Sequence, residues 1–269
     1  MSRFGFRTRN GVISSFIEGL VGITTDVDAQ AYFDRVTAAG GTLSTTEKDA
    51  VNTLTLSLKS TGVWTLMKAI YPMVGASAAA CSQNLKSSSF TGTFTSGWTF
   101  SSTGVTPNGT SAYMNTSLIP NVSLTLNSSH LSSYIRGTNA GNQIYIGAKG
   151  ASTTILNYVL NFGYAAINNS DTLATSVSGQ VGLFLNVRTS STNLVQYKNS
   201  NALSTLVNTS IGLHEQSIWL GAYNNNTTIL FPSNNQCAFA SIGDGLSPAQ
   251  VTDFYNSIQT FQTSLSRQV

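Results

Sequence analysis

The sequence predicts a mainly β protein: a two-sheet sandwich of jelly-roll type with a short helical lead and one C-terminal helix packed on it. Three observations carry this. From about residue 75 to 243, short β segments are separated by clusters of Gly, Asn, Ser and Thr. Within one of them Val181, Leu183, Leu185 and Val187 face one way while Gly182, Phe184, Asn186 and Arg188 face the other. Finally, an apolar stripe at spacings of three and four closes the chain. No repeat of roughly 20–50 residues is visible, which argues against a propeller or solenoid.

The C-terminal part organises the rest. Cys237, Phe239 and Ser241 alternate with Ala238, Ala240 and Ile242, all small or apolar, so this strand is expected to be covered on both faces. A Gly-Asp-Gly turn follows. Ser247 as N-cap, Pro248 at the first helical position and Gln250 closing a capping box then start a helix over about 247–265. Val251, Phe254, Ile258, Phe261 and Leu265 form its stripe, which needs a sheet to lie on.

Residues 1–23 read as an ordered attachment arm. Arg3, Arg7 and Arg9 before an apolar stretch have the outline of a signal peptide, but Glu18 interrupts it and no small-x-small cleavage site follows cleanly. Residues 24–62 form the helical lead. Thr25 is expected to cap a first helix buried through Ala29, Tyr32, Phe33 and Val36, and Ser44 with Glu47 forms a capping box for a second with Val51, Leu54 and Leu58. The sandwich occupies 63–269. Trp64 opens it with a helical turn running into a strand, and Pro72 marks an edge or bend. Later segments include 130–136, 143–146, 155–162, 181–188, 194–197, 218–223 and 237–242, with 189–193 as a hairpin connection.

Composition narrows the function. Charged residues make up 9% of the chain, against about a quarter in ordinary soluble proteins. Such a polar, nearly uncharged surface suits extracellular β proteins, lectins and virus particles. A net charge of +3 with no basic run interleaved with aromatics argues against nucleic acid. No apolar run approaches the ~18 residues of a membrane helix. Cys81 and Cys237 are read as two buried thiols, with a disulfide left open.

Catalytic sets are missing. Glycosidic cleavage needs a pair of carboxylates in one cleft, yet between Ala50 and Gly243 the only acids are Asp171 and Glu215, each in a loop context. His130 and His214 lack neighbouring acids or cysteines at metal-ligand spacing. No Gly-x-Ser-x-Gly elbow or phosphate-cradling loop occurs. The expectation is a protein without enzymatic activity, metal or cofactor. Two stretches carry sugar-binding chemistry instead, placing aromatic rings among amides and hydroxyls: 97–113, with Trp98 and Tyr113, and 223–228, with Tyr223, Asn224, Asn225 and Asn226. The competing reading makes Trp98 and Trp219 core residues and the Asn run turn chemistry.

Several motifs occur in order: Ile-Tyr-Pro-Met-Val-Gly at 70–75, Asn-Leu-Lys at 84–86, Gly-Trp at 97–98 with Ser-Ser-Thr-Gly-Val-Thr-Pro-Asn-Gly-Thr at 101–110, and Gln-Cys-Ala-Phe-Ala-Ser-Ile-Gly-Asp-Gly-Leu at 236–246. With Thr-Phe-Gln-Thr at 260–263 and the final Arg-Gln-Val, they resemble a class of tailed-phage virion proteins. Their module is a concanavalin A-like (LamG-like) jelly roll preceded by a small helical lead. The likeness covers about 24–269. The chain departs from it at 87–92, where such modules carry a longer acidic segment, and at Phe100, where a His is common. The resemblance implies a structural or adhesive role on the particle surface, as a head fibre, capsid decoration or tail-fibre component. Its partners would be other virion proteins and further copies of itself. The arm, through Arg3, Phe4, Phe6, Arg7 and Arg9, would be the docking element. The alternatives are a lectin-like receptor-binding protein for host surface glycan and, third, a glycan-degrading enzyme that would need Asp171 and Glu215 to converge.

Overall fold

The computed structural model describes residues 24–139, 141, 143–150, 154–159, 163–169, 173–175, 181–207 and 209–269. The attachment arm and Asp171 therefore lie outside the described residues. Two helices lead: α1 (Val27–Ala38) and α2 (Thr45–Ser60). A 3-10 turn at Val63–Leu66 feeds β1 (Met67–Tyr71), followed by the one-turn α3 (Ala78–Cys81) and by β2 (Thr93–Phe94), β3 (Trp98–Ser101), β4 (Gly104–Pro107) and β5 (Met114–Asn115). After the one-turn α4 (Pro120–Ser123) come β6 (Ser129–Ile135), β7 (Ile144–Lys149), β8 (Thr154–Val159), β9 (Gly163–Asn169), β10 (Leu173–Thr175), β11 (Gly182–Arg188), β12 (Asn193–Lys198) and β13 (Asn201–Val207). The chain ends with β14 (Trp219–Leu220), β15 (Tyr223–Asn225), β16 (Thr228–Leu230), β17 (Cys237–Gly243) and α5 (Pro248–Ser264).

The strands form two sheets. The first runs β13-β12-β11-β6-β17-β4-β3, with β1 also pairing β17; the second runs β10-β9-β8-β7-β14-β5-β2, with β15 pairing β7 and β16. The result is a two-sheet jelly-roll sandwich with helices on one side. Alternation explains the layers. Leu183, Leu185 and Val187 join the cluster under the helices, whereas Phe184 joins the core between the sheets. The central strands of the first sheet, β11, β6 and β17, are therefore buried on both faces, the pattern read from residues 181–188.

In β17 that alternation is broken. A register shift between Cys237 and Phe239 puts Ala238 and Phe239 both on the helix side, while Cys237, Ala240 and Ile242 face the other sheet. The expected grouping of Cys237 with Phe239 is corrected by this bulge, which inserts one residue and flips the phase. Cys81 and Cys237 are free, buried thiols, and burial pushes each up to about 12.

Capping signals set the helices. Ser44 and Glu47 make a reciprocal box at α2, and Ser247 and Gln250 do the same at α5. For α1 the cap is Asp26, not Thr25: its carboxylate accepts from the Asp28 amide, and its backbone N–H donates to Asn52 Oδ1. Asp and Thr are both good caps; Lys59, within 2.6 Å of both Asp26 and Asp28, decides the register. Val251, Phe254, Ile258 and Phe261 of α5 are buried on the first sheet, each apolar side chain contributing about 1.5–3 kcal/mol.

The expected strand at 218–223 divides in two. Gly221, at φ 83, turns the chain between β14 and β15, and a Cβ there would strike the Trp98 ring. Gly243, at the start of the Gly-Asp-Gly turn, is demanded by close approach: a Cβ would collide with the Leu66 carbonyl and the His130 ring.

Candidate functional site

With the helices on the first sheet, the outer face of the second sheet is the broad one that no described helix covers. Register defines it. Thr93 pairs with Asn115, Asn115 with Trp219, and Trp219 with Gly147, so these four share one face. Their neighbours Phe94, Met114, Leu220 and Ile146 pack into the inter-sheet core, so the Thr93–Gly147 row faces outward. Tyr113 precedes Met114 and lies on the same outer face. Its ring stacks on Trp219 with centroids 3.7 Å apart and planes 10° from parallel. Trp219 is 5% exposed, and Tyr113 is half-buried. Trp219 thus backs one face of the Tyr113 ring and holds it in place.

The chain reaches this arrangement through an Asn-organised crossing. β3 and β4 belong to the first sheet, β5 to the second, and residues 108–112 pass between them. Asn108 Oδ1 accepts the backbone N–H of Thr110, Ser111 and Ala112, and the Gly109 amide donates to Ser233 O. Thr95 Oγ1 accepts from the Tyr113 amide at 2.9 Å and donates to the Tyr113 carbonyl at 3.0 Å. On the other side, Thr116 Oγ1 donates to Ile218 O at 2.6 Å, locking β5 to the approach of β14. Local amide and hydroxyl bonds of this kind are what an Asn/Ser/Thr-rich loop does well.

The six residues singled out for sugar binding separate. Trp98 sits on β3, its ring edge-to-face with Phe94 at 5.0 Å and against Gly221, and packs against the inter-sheet core. Tyr113 is on the outer face. Tyr223, 6% exposed, forms a small cluster with Ile144 and Ala166. Asn224 is spent on the fold: its amide donates to Ser217 O and its carbonyl oxygen accepts from Thr227 N. Asn225 is half-buried at the end of β15, and Asn226 is exposed at the hairpin tip, accepting from Gln216 Nε2 at 3.0 Å. The docking residues Arg3, Phe4, Phe6, Arg7 and Arg9 lie outside the described residues. The sequence does not mark Asn115 or Thr93, and one of its two readings makes Trp219 a core residue. The missing signal was pairing: single residues on two-residue strands show no period, and only the register puts them in a row.

The titratable groups elsewhere serve structure. Burial lowers His130 and His214 to about 4. Glu215 is exposed in the loop before β14. Among the described residues, no group of three His, Cys, Asp or Glu side chains gathers as a metal would require, and no helix is long and apolar enough to cross a membrane.

No protein-family model matches the chain, and no curated protein matches its sequence. Solved structures do. Domain 4 of AbnA, a GH43 extracellular arabinanase from Geobacillus stearothermophilus in complex with arabinotriose, matches with a TM-score of 0.51 at 14% identity, covering 71% of this chain and 98% of that one. The binding domain of botulinum neurotoxin serotype D matches with a TM-score of 0.51 at 9% identity, covering 72% of this chain and 52% of that one. The likeness is one of fold. At these identities it carries no residue-level correspondence.

Proposed function

We propose that this chain is a glycan-recognising, non-catalytic module displayed on the surface of a phage particle. The observation that carries recognition is the outer face of the second sheet, where Tyr113 stacked on Trp219 stands beside Asn115 and Thr93. An aromatic ring held flat by a second ring loses little freedom when a sugar C–H face lands on it. Amide and hydroxyl groups alongside satisfy sugar hydroxyls at small desolvation cost. The arabinotriose-bound neighbour supports this reading by its sandwich alone. Display on a virion is supported by the motif series from 70–75 to 267–269, and the absence of catalysis by the two acids between residues 51 and 242.

Two experiments test the two halves. On a glycan array the full chain is expected to bind a defined subset, and Tyr113→Ala to weaken that binding at least tenfold with an unchanged far-UV spectrum; equal binding by the variant rejects the site. For display, removing residues 1–23 is expected to abolish incorporation into particles while leaving a folded sandwich, and undiminished incorporation rejects that role for the arm.

A further inference from the structure

We infer that this face takes uncharged saccharides, a conclusion that rests on the glycan-binding reading above. From residue 87 to residue 135 the chain contains no Asp, Glu, Lys or Arg, and that span supplies β2 and β5 with Thr93, Tyr113 and Asn115. Between residues 87 and 243 the described charged residues are Arg136, Lys149, Arg188, Lys198 and Glu215. Arg136 is bound to the Arg267 carbonyl and to Gln236. Arg188 is fully buried, and Lys198 belongs to the first sheet. Lys149, two residues along β7 from Gly147, is on this same face but about 7 Å along the strand from the row, on the side away from Tyr113, and Glu215 is in the loop before β14.

A uronate, sialate or sulfate placed on the Thr93–Asn115–Trp219 row would lose hydration with no cation in the row to replace it, which is costly. A neutral sugar meets suitable partners. The Thr93 hydroxyl, the Tyr113 hydroxyl and the Asn115 Nδ2 amide have no hydrogen-bond partner among the described residues, while Asn115 Oδ1 is already used, accepting from Ser117 N at 2.9 Å. The footprint is small. Neighbouring strands are about 4.8 Å apart, so Thr93 to Trp219 spans about 10 Å, with Tyr113 about 7 Å along the strand from Asn115. One or two sugar rings fill that area.

The test compares the full chain on neutral oligosaccharides and on their sialylated, uronic or sulfated counterparts, by array and by calorimetry. Binding is expected for neutral ligands, rising from mono- to disaccharide and then levelling. Acidic counterparts should bind at least tenfold more weakly, and neutral affinity should be unchanged between low and high salt, because no ion pair is made. Asn115→Asp retains the acceptor for Ser117 N but removes the amide donor, and is expected to lower neutral-sugar affinity at least tenfold. Preference for acidic glycans, or affinity that falls steeply with salt, overturns this inference and leaves the glycan site standing. Folded protein that binds neither class overturns both.

Discussion

Replacing Arg267 with alanine is expected to destabilise the protein by about 3–5 kcal/mol, because it orphans buried carbonyls and opens a cavity. Arg267 is fully buried near the end of the chain with no acid bonded to it. Its Nη1 donates to Met73 O at 2.7 Å, Nη2 to Pro72 O at 3.1 Å and Ala238 O at 3.0 Å, and Nε to Gln262 Oε1 at 2.9 Å. The guanidinium also lies 5.2 Å from the Phe261 ring centroid. Burial lowers it to about 10, so it stays charged at neutral pH and its charge is spread over carbonyl dipoles. One of those carbonyls belongs to Met73, which is fully buried at φ 52, a conformation an L-residue holds only when its surroundings impose it. Lysine cannot reproduce the planar fork, so Arg267→Lys should recover only part of the loss. Urea denaturation of the three proteins measures this; a loss below about 1 kcal/mol for the alanine variant would show that the staple is redundant.

Acidification is the second large effect. His130 is fully buried between β6 and β17. A carbonyl cannot donate, so the 2.6 Å contact to Asp244 O puts the proton on Nδ1, and Nε2 accepts from Ser241 at 3.0 Å, with Ser132 behind it at 2.7 Å. His214, by contrast, uses Nδ1 as an acceptor, from Gln216 N. Burial holds both at about 4 in the fold, against about 6.5 in the unfolded chain. Above pH 6.5 neither state is protonated and stability is complete. As pH falls from 6.5 to 4 only the unfolded chain takes up protons, so each histidine costs up to about 3 kcal/mol, and below 4 its contribution stops changing. Asp244, whose backbone carbonyl accepts from His130 Nδ1, holds its carboxylate Oδ2 3.0 Å from Lys68. Stability measured by urea from pH 7.5 to 4 should fall steeply, and His130→Gln should flatten about half of the slope. A wild-type curve level down to pH 4.5 would refute the assignment.

Much of the fold is legible in the sequence. Periodicity placed α2 and α5 together with their buried stripes, because a capping box followed by spacings of three and four has few other meanings. Strand 182–188 was legible on both faces for the same reason. The site was less so. Tyr113 was visible as an aromatic among hydroxyls, but its stacking partner Trp219 is 106 residues away in sequence, and β5 and β14 are two residues each. A two-residue strand carries no pattern from which a facing partner can be read. The Asn run of 224–226 drew attention by composition, whereas Asn224 turned out to be turn chemistry.

What the sequence determined by itself was the class of the protein: a charge-poor β body, its helical caps, and the scarcity of carboxylates along the sandwich. These are properties of local pattern and composition, which survive in one dimension. Tertiary structure decided which face stayed open, because that depends on α1, α2 and α5 all choosing the same sheet. It also decided which side of β17 Phe239 takes, through one bulge, and where the final arginine goes, since the carbonyls of Pro72 and Met73 meet that of the distant Ala238 only once the sheets have closed.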